Sequence, residues 1–227
     1  MKPDVKQVLK ELHALANPEA ADGLSAFGIQ GAQLLGIRMP ELRRMARQIG
    51  KDQVLADGLW ASGIHEARIL ASMIAEPVRM PQDKMDAWAA DFDSWDVCDQ
   101  CCGNLFVRTP WAHEQALVWS ERPEEFVKRA GFALMAYLAV HDKNADEAEF
   151  EPFFEKITAQ AHDSRNYVKK AVNWALRQIG KRSRSLNTQA ITIATALAHA
   201  DDPTTRWIGK DALRELTSAK IQDKLRT

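Results

Sequence analysis

Two groups of residues in this chain have types and spacings suited to chemistry. The first is Ser94-Trp95-Asp96-Val97-Cys98-Asp99. On a helix capped by Ser94, Trp95 and Asp99 are four residues apart and stand one above the other. An aromatic plane beside a carboxylate near a helix N-terminus can hold a cationic or electron-poor ligand. The ordinary alternative is a tryptophan packed at a helix boundary, with Asp99 solvated or salt-bridged. The second group is Lys170, Trp174, Arg177 and Lys181, at i, i+4, i+7 and i+11. These positions share one side of a helix, while Val168, Val172, Ala175 and Ile179 take the opposite, core-facing side. Basic residues interleaved with an aromatic suit phosphate neutralisation combined with contact to a base or sugar. The plain alternative is a solvated face whose tryptophan is covered by a neighbouring helix.

Other candidates are weaker. Lys128 and Arg129 begin a helix whose Val127, Ala130 and Leu134 go inward, and Arg129 could also be an ordinary surface arginine. Arg38, Arg43, Arg44, Arg47 and Lys51 cluster around Pro40 and could touch phosphates non-specifically. Cys98-x-x-Cys101 suggests a metal, but a structural zinc site needs four ligands. No second such pair or suitably spaced histidine pair accompanies it, and both cysteines fall on the inferred core stripe. No metal is expected. His65, His113 and His141 have no evident triad partners in sequence, and no GxSxG, P-loop or GxGxxG is present.

The elements that must position these residues are helices. Val5, Val8, Leu9, Leu12 and Leu15 fit one helical face, as do Leu42, Met45, Ala46 and Ile49, and Ile64, Ala67, Leu70, Ala71 and Ile74. Val127, Ala130, Leu134 and Leu138 follow the same period. Breaks fall at Asn17-Pro18, Met39-Pro40, Glu76-Pro77, Thr109-Pro110, Arg122-Pro123 and Asp202-Pro203. The β-branched run Ile191–Thr195 lies inside a longer helical pattern and reads as helix. The spacing predicts an all-α chain of about a dozen helices in antiparallel pairs. Residues 1–227 read as one HEAT-like-repeat α-solenoid domain with a concave basic face, although no strict sequence repeat is visible.

Composition narrows the class. With 227 residues, 46% hydrophobic and 27% charged, the chain is neither disordered nor low in complexity. It has no run of membrane-span length, no signal-peptide core after Met1-Lys2-Pro3-Asp4, and three clustered cysteines rather than a disulfide framework. A soluble, cytoplasmic monomer with no membrane partner is expected. The net charge of −1 hides an asymmetry. Arg165 to Arg184 holds seven basic residues and no acid, whereas Asp142 to Asp163 holds seven acids and two lysines.

The two tryptophan motifs occur in order with Lys128-Arg129-Ala130 and with Leu35-Gly36-Ile37-Arg38-Met39-Pro40-Glu41-Leu42-Arg43. This set resembles the DNA alkylation repair family, the AlkD-type HEAT-like-repeat DNA glycosylases, over roughly residues 5–215. The resemblance implies hydrolysis of the N-glycosidic bond of N3- and N7-alkylated purines in double-stranded DNA, with no cofactor and no closed base pocket. It places the family's catalytic aspartate at Asp99, its lesion-flanking tryptophans at Trp95 and Trp174, and its active-site arginine at Arg129. Lys128, Lys169, Lys170, Arg177, Lys181, Arg38 and Arg43 are then the expected DNA contacts. Ser94 stands where the best-known members have a second tryptophan. A non-catalytic module binding DNA structures, or a protein scaffold, is the alternative reading of the same helices.

Overall fold

A computed structural model of the chain describes residues 3–25, 28–29 and 33–225; Met1 and Lys2, part of the N-terminal reading, lie outside them. Among the described residues all regular structure is helical: fourteen α-helices and three short 3-10 helices, with no strand. Ile191–Thr195 lies within a helix, as its spacing predicts. Pro18, Pro40, Pro77 and Pro203 each fall in the first turn of a helix, where the missing N–H removes no intrahelical bond. The chain divides into two compact units, Met1–Thr109 and Pro110–Thr227. Among the described residues no helix is long and apolar enough to cross a membrane.

The first unit contains α1 (Val5–Ala14), α2 (Pro18–Ser25), α3 (Met39–Ile49), α4 (Gln53–Ala61), α5 (His65–Ile74), α6 (Gln82–Ala90) and α7 (Trp95–Asn104). Helix α5 packs against α3, α4 and α7. Its Ala67, Leu70, Ala71 and Ile74 have no exposed surface, which completes the apolar stripe read from the sequence. Each such Leu or Ile stabilises the unit by about 1.5–3 kcal/mol. Trp60 of α4 stacks on Trp88 of α6 with centroids 4.0 Å apart and planes within 5°. Its indole N–H donates to Asp91 at 2.9 Å, so this buried tryptophan keeps a polar partner.

The second unit contains α8 (Ala112–Trp119), α9 (Glu125–His141), α10 (Glu151–Gln160), α11 (Asn166–Gly180), α12 (Arg184–Ala198), α13 (Pro203–Leu216) and α14 (Ala219–Lys224). Helix α9 packs against α8 and α11, and α12 and α13 pack against each other and against α11. Gly209 permits the closest approach of α13 to α12, since a Cβ there would lie 2.2 Å from the Ala198 nitrogen.

The repeat that is invisible in residue identities appears in the bonds between helices. In the first unit several join residues 31 apart, Trp60–Asp91, His65–Asp96 and Leu35–Glu66 among them. In the second several join residues 38 apart, Arg129–Tyr167, Asn173–Asp211 and Arg177–Glu215 among them. A recurring step between bonded partners is what stacked helical pairs of similar length produce.

Candidate nucleic-acid interface

The candidate residues fall into two sets, one in each unit. In the first unit, Ser94 takes the N-cap position of α7 with extended backbone, φ −150° and ψ 154°. Its side chain does not cap the helix. The hydroxyl instead donates to Asp96 Oδ1 at 2.9 Å, while Asp96 Oδ2 meets His65 Nε2 at 2.8 Å. Asp96 thereby ties the start of α7 to the start of α5. Val97, Cys98, Cys101 and Leu105 are fully buried, as their spacing predicts. With that face inward, Trp95 and Asp99 come to the other margin of α7, both half-buried. Burial pushes the Cys101 thiol well above its ordinary range, so it is no nucleophile at neutral pH.

The His65–Asp96 pair makes this anchoring pH-dependent. Burial works to lower the His65 value, but the hydrogen bond and charge of Asp96 outweigh it and raise it above 6.5. Burial likewise works to raise Asp96, yet His65 and the Ser94 hydroxyl hold it below 3.8. A raised histidine contributes stability fully below its unfolded value and loses it as pH rises through its folded value. A depressed aspartate contributes above its unfolded value and loses it as pH falls through its folded value. The pair is therefore strongest between about pH 4 and pH 6.5. The difference in Tm between wild type and Asp96→Asn is expected to be larger at pH 6 than at pH 9. Equal differences at the two pH values would show that the pair is not coupled in this way.

Trp95, Asp96 and His65 border a cavity of about 520 Å³ whose other walls include Ile37, Met39 and Ile69. The loop at its edge explains the Leu35–Arg43 motif. Gly36 has φ +72°, and a Cβ there would lie 2.2 Å from the Asn17 carbonyl oxygen. Only glycine fits this turn. The turn aims the N–H groups of Leu35, Gly36 and Ile37 at the Glu66 carboxylate, at 2.9, 2.6 and 3.2 Å. The chain then enters α3, leaving Arg38 and Arg43 exposed.

In the second unit, α11 buries Val168, Val172, Ala175 and Ile179 completely. The opposite side carries the expected row, with Lys170 exposed and Trp174 half-buried edge-on against Tyr137 of α9 at 5.1 Å. The row is less positive than its sequence suggests. Glu215 of α13 accepts from both Arg177 and Lys181, the latter at 2.6 Å, and Asp211 lies 3.9 Å from Arg177. Burial works to raise the Glu215 value, but Lys181 and Arg177 hold it below its ordinary range. Lys169 lies beside the row, its ammonium 5.6 Å from the centre of the Trp207 ring.

Lys128 and Arg129 are not on an exposed basic face. Lys128 is 8% exposed and donates to Gln160 at 2.8 Å and to Asp163 at 3.3 Å. Asp163 is held down at about 2, chiefly by the Arg165 guanidinium. Arg129 is 7% exposed and donates to the Tyr167 carbonyl at 2.7 Å, which fixes the start of α11 against α9. A lysine at the first turn of a helix reads as surface until the acid it meets, on a segment 35 residues later, is placed.

Sequence reasoning missed the His65–Asp96 pair and a second pair, His113–Asp142 at 3.1 Å. It also missed Trp207, which is 41% exposed on α13. Local spacing gives no sign of the histidine pairs. The step of 31 residues would have given one for the first, but it emerges only once helix pairs are stacked. Among the described residues no three His, Cys, Asp or Glu side chains converge to hold a metal.

Comparison with known proteins adds two findings. The sequence model of a family described as "DNA alkylation repair enzyme" matches residues 8–216, a span that includes residues of both units. Among solved structures, one described as "a new family of proteins related to the HEAT-like repeat DNA glycosylases with affinity for branched DNA structures" superposes with a TM-score of 0.78. It is 22% identical, and the match covers 94% of this chain and 96% of that one, which establishes a shared fold. No protein of curated function matches the chain.

Proposed function

Since the chain belongs to the DNA alkylation repair enzyme family, we propose that it is a monofunctional DNA glycosylase acting on N3- and N7-alkylated purines in duplex DNA. The observation that carries this reading is the register of α7. The helix buries its cysteine face completely and brings Trp95 and Asp99 together to its half-exposed margin.

The chemistry such residues can perform is simple. An N3- or N7-alkylpurine is already cationic, so the C1′–N bond breaks with its electron pair leaving on the base, which becomes neutral. The deoxyribose becomes oxocarbenium-like. The Asp99 carboxylate stabilises that charge and orients a water, whose oxygen bonds to C1′ and whose proton passes to Asp99 or solvent. Water is the sole co-reactant, so the balance closes without a cofactor. Trp95 offers its face to the cationic sugar or base.

On the second unit, Trp174 and Lys170 contact the DNA, and Lys169, Arg177 and Lys181 supply the surrounding positive field. Arg38 and Arg43 do the same from the first unit. Arg129 is a positioning residue that holds the Tyr167 carbonyl at the start of α11. Lys128, with Asp163 as its counter-ion, is left out of the DNA contacts.

A second reading has its own support. The solved relative is described as having affinity for branched DNA, and the α11 row suits phosphates whether or not catalysis follows. Incubation with methylated duplex and chromatography of the freed bases separates the two. Wild type is expected to release 7-methylguanine or 3-methyladenine well above a protein-free control. Tight binding to junctions with release no faster than the control would favour the binding module.

A further inference from the structure

A groove in the second unit carries positive charge beyond the α11 row. It has a volume of about 780 Å³ and is bordered by residues at the C-terminal ends of α9, α11 and α13 and along α14. Among its described lining residues five are cationic, Lys143, Lys181, Arg182, Lys220 and Lys224, against the single acid Glu215. The whole chain has a net charge of −1, so this is a local concentration rather than a general excess.

The five cations divide by role. Arg182 is structural: its guanidinium donates to the Ala139 and Ala145 carbonyls at 3.1 and 3.0 Å and lies 4.7 Å from the Phe150 ring centre. Lys181 is bound to Glu215. Lys143, Lys220 and Lys224, from two separate segments of chain, are all exposed. Holding ammonium groups around one hollow costs repulsion that a polyanion relieves. The lining also includes Val140, 37% exposed. Cations beside apolar surface suit a strand that carries both phosphates and deoxyriboses. Lys181 belongs both to the groove and to the α11 row, which runs about 16 Å from Lys170. A strand lying along the row therefore leads into the groove.

We propose that this groove binds the sugar–phosphate backbone of duplex DNA flanking the segment held by α11, through Lys143, Lys220 and Lys224. The inference rests on the DNA-binding reading above and extends it to residues that reading does not use.

The test compares the wild type with a Lys143→Gln, Lys220→Gln, Lys224→Gln variant on a fluorescent 30-base-pair duplex between 50 and 200 mM salt. Each lost phosphate contact lowers the salt slope by about 0.9. Loss of two or three contacts makes the wild-type affinity fall about 10- to 40-fold more over that range than the variant's. The variant is also expected to bind at least about 40-fold more weakly at 50 mM salt. A control with the same change in net charge, Lys6→Gln, Lys10→Gln, Arg79→Gln, is expected to keep the wild-type slope. An unaltered affinity and slope in the groove variant, or equal losses in the control, would overturn the groove while leaving DNA binding intact. A wild type that fails to bind duplex at all would remove the DNA-binding reading and the groove with it.

Discussion

Asp99→Asn is expected to lower single-turnover release of 7-methylguanine by about 10²- to 10³-fold, while affinity for the same duplex changes less than about threefold. The substitution keeps the shape and half-buried position of the side chain and removes its negative charge. Only the transition state carries developing positive charge at C1′, so the loss belongs in the rate at saturation rather than in binding. A drop of this size corresponds to about 3–4 kcal/mol, in line with other single groups that stabilise charge in a sheltered site. Rate measurements with protein in excess over DNA report it directly. Equal rates for the two proteins would remove Asp99 from the chemistry.

Glu66→Ala is expected to have the largest effect on stability. The carboxylate accepts from three consecutive N–H groups, those of Leu35, Gly36 and Ile37, and its own residue is 2% exposed. Truncation leaves these donors unanswered in a largely buried loop, at about 1–3 kcal/mol each. A total loss of about 3 kcal/mol or more would lower Tm by roughly 6–12 °C for a chain of this size. Thermal unfolding followed by circular dichroism checks this. A Tm within about 2 °C of wild type would show that the loop finds other partners.

The helices were largely legible in the sequence because the apolar period repeats within each segment. The register of α7 illustrates this: Val97, Cys98, Cys101 and Leu105 are four buried positions at helical spacing, and with that face inward Trp95 and Asp99 emerge at its other margin. The repeat was not legible, because it shows in separations of 31 and 38 residues that recur among bonded partners rather than in identities. Charge was legible only as far as one segment reaches. The run from Arg165 to Arg184 has no acid of its own, yet Asp211 and Glu215 meet it from α13. Lys128 misled for the same reason, since Gln160 at the end of α10 and Asp163 in the connection that follows meet it from more than 30 residues away. The Leu35–Arg43 motif was recognised as a pattern, and its physical cause is the left-handed Gly36 turn closing on Glu66. Both histidine pairs needed the fold, because neither partner lies within a helical turn of the other.

The most direct test of the central claim is the fate of one strand. A duplex carrying a single N7-methylguanine, incubated with excess wild-type protein and then treated with an amine that cleaves abasic sites at neutral pH, is resolved on a denaturing gel beside a protein-free control. The expected result is cleavage at the lesion position alone, with one equivalent of free 7-methylguanine for each strand cut. A strand that stays intact beyond the control while fully bound by the protein would contradict it.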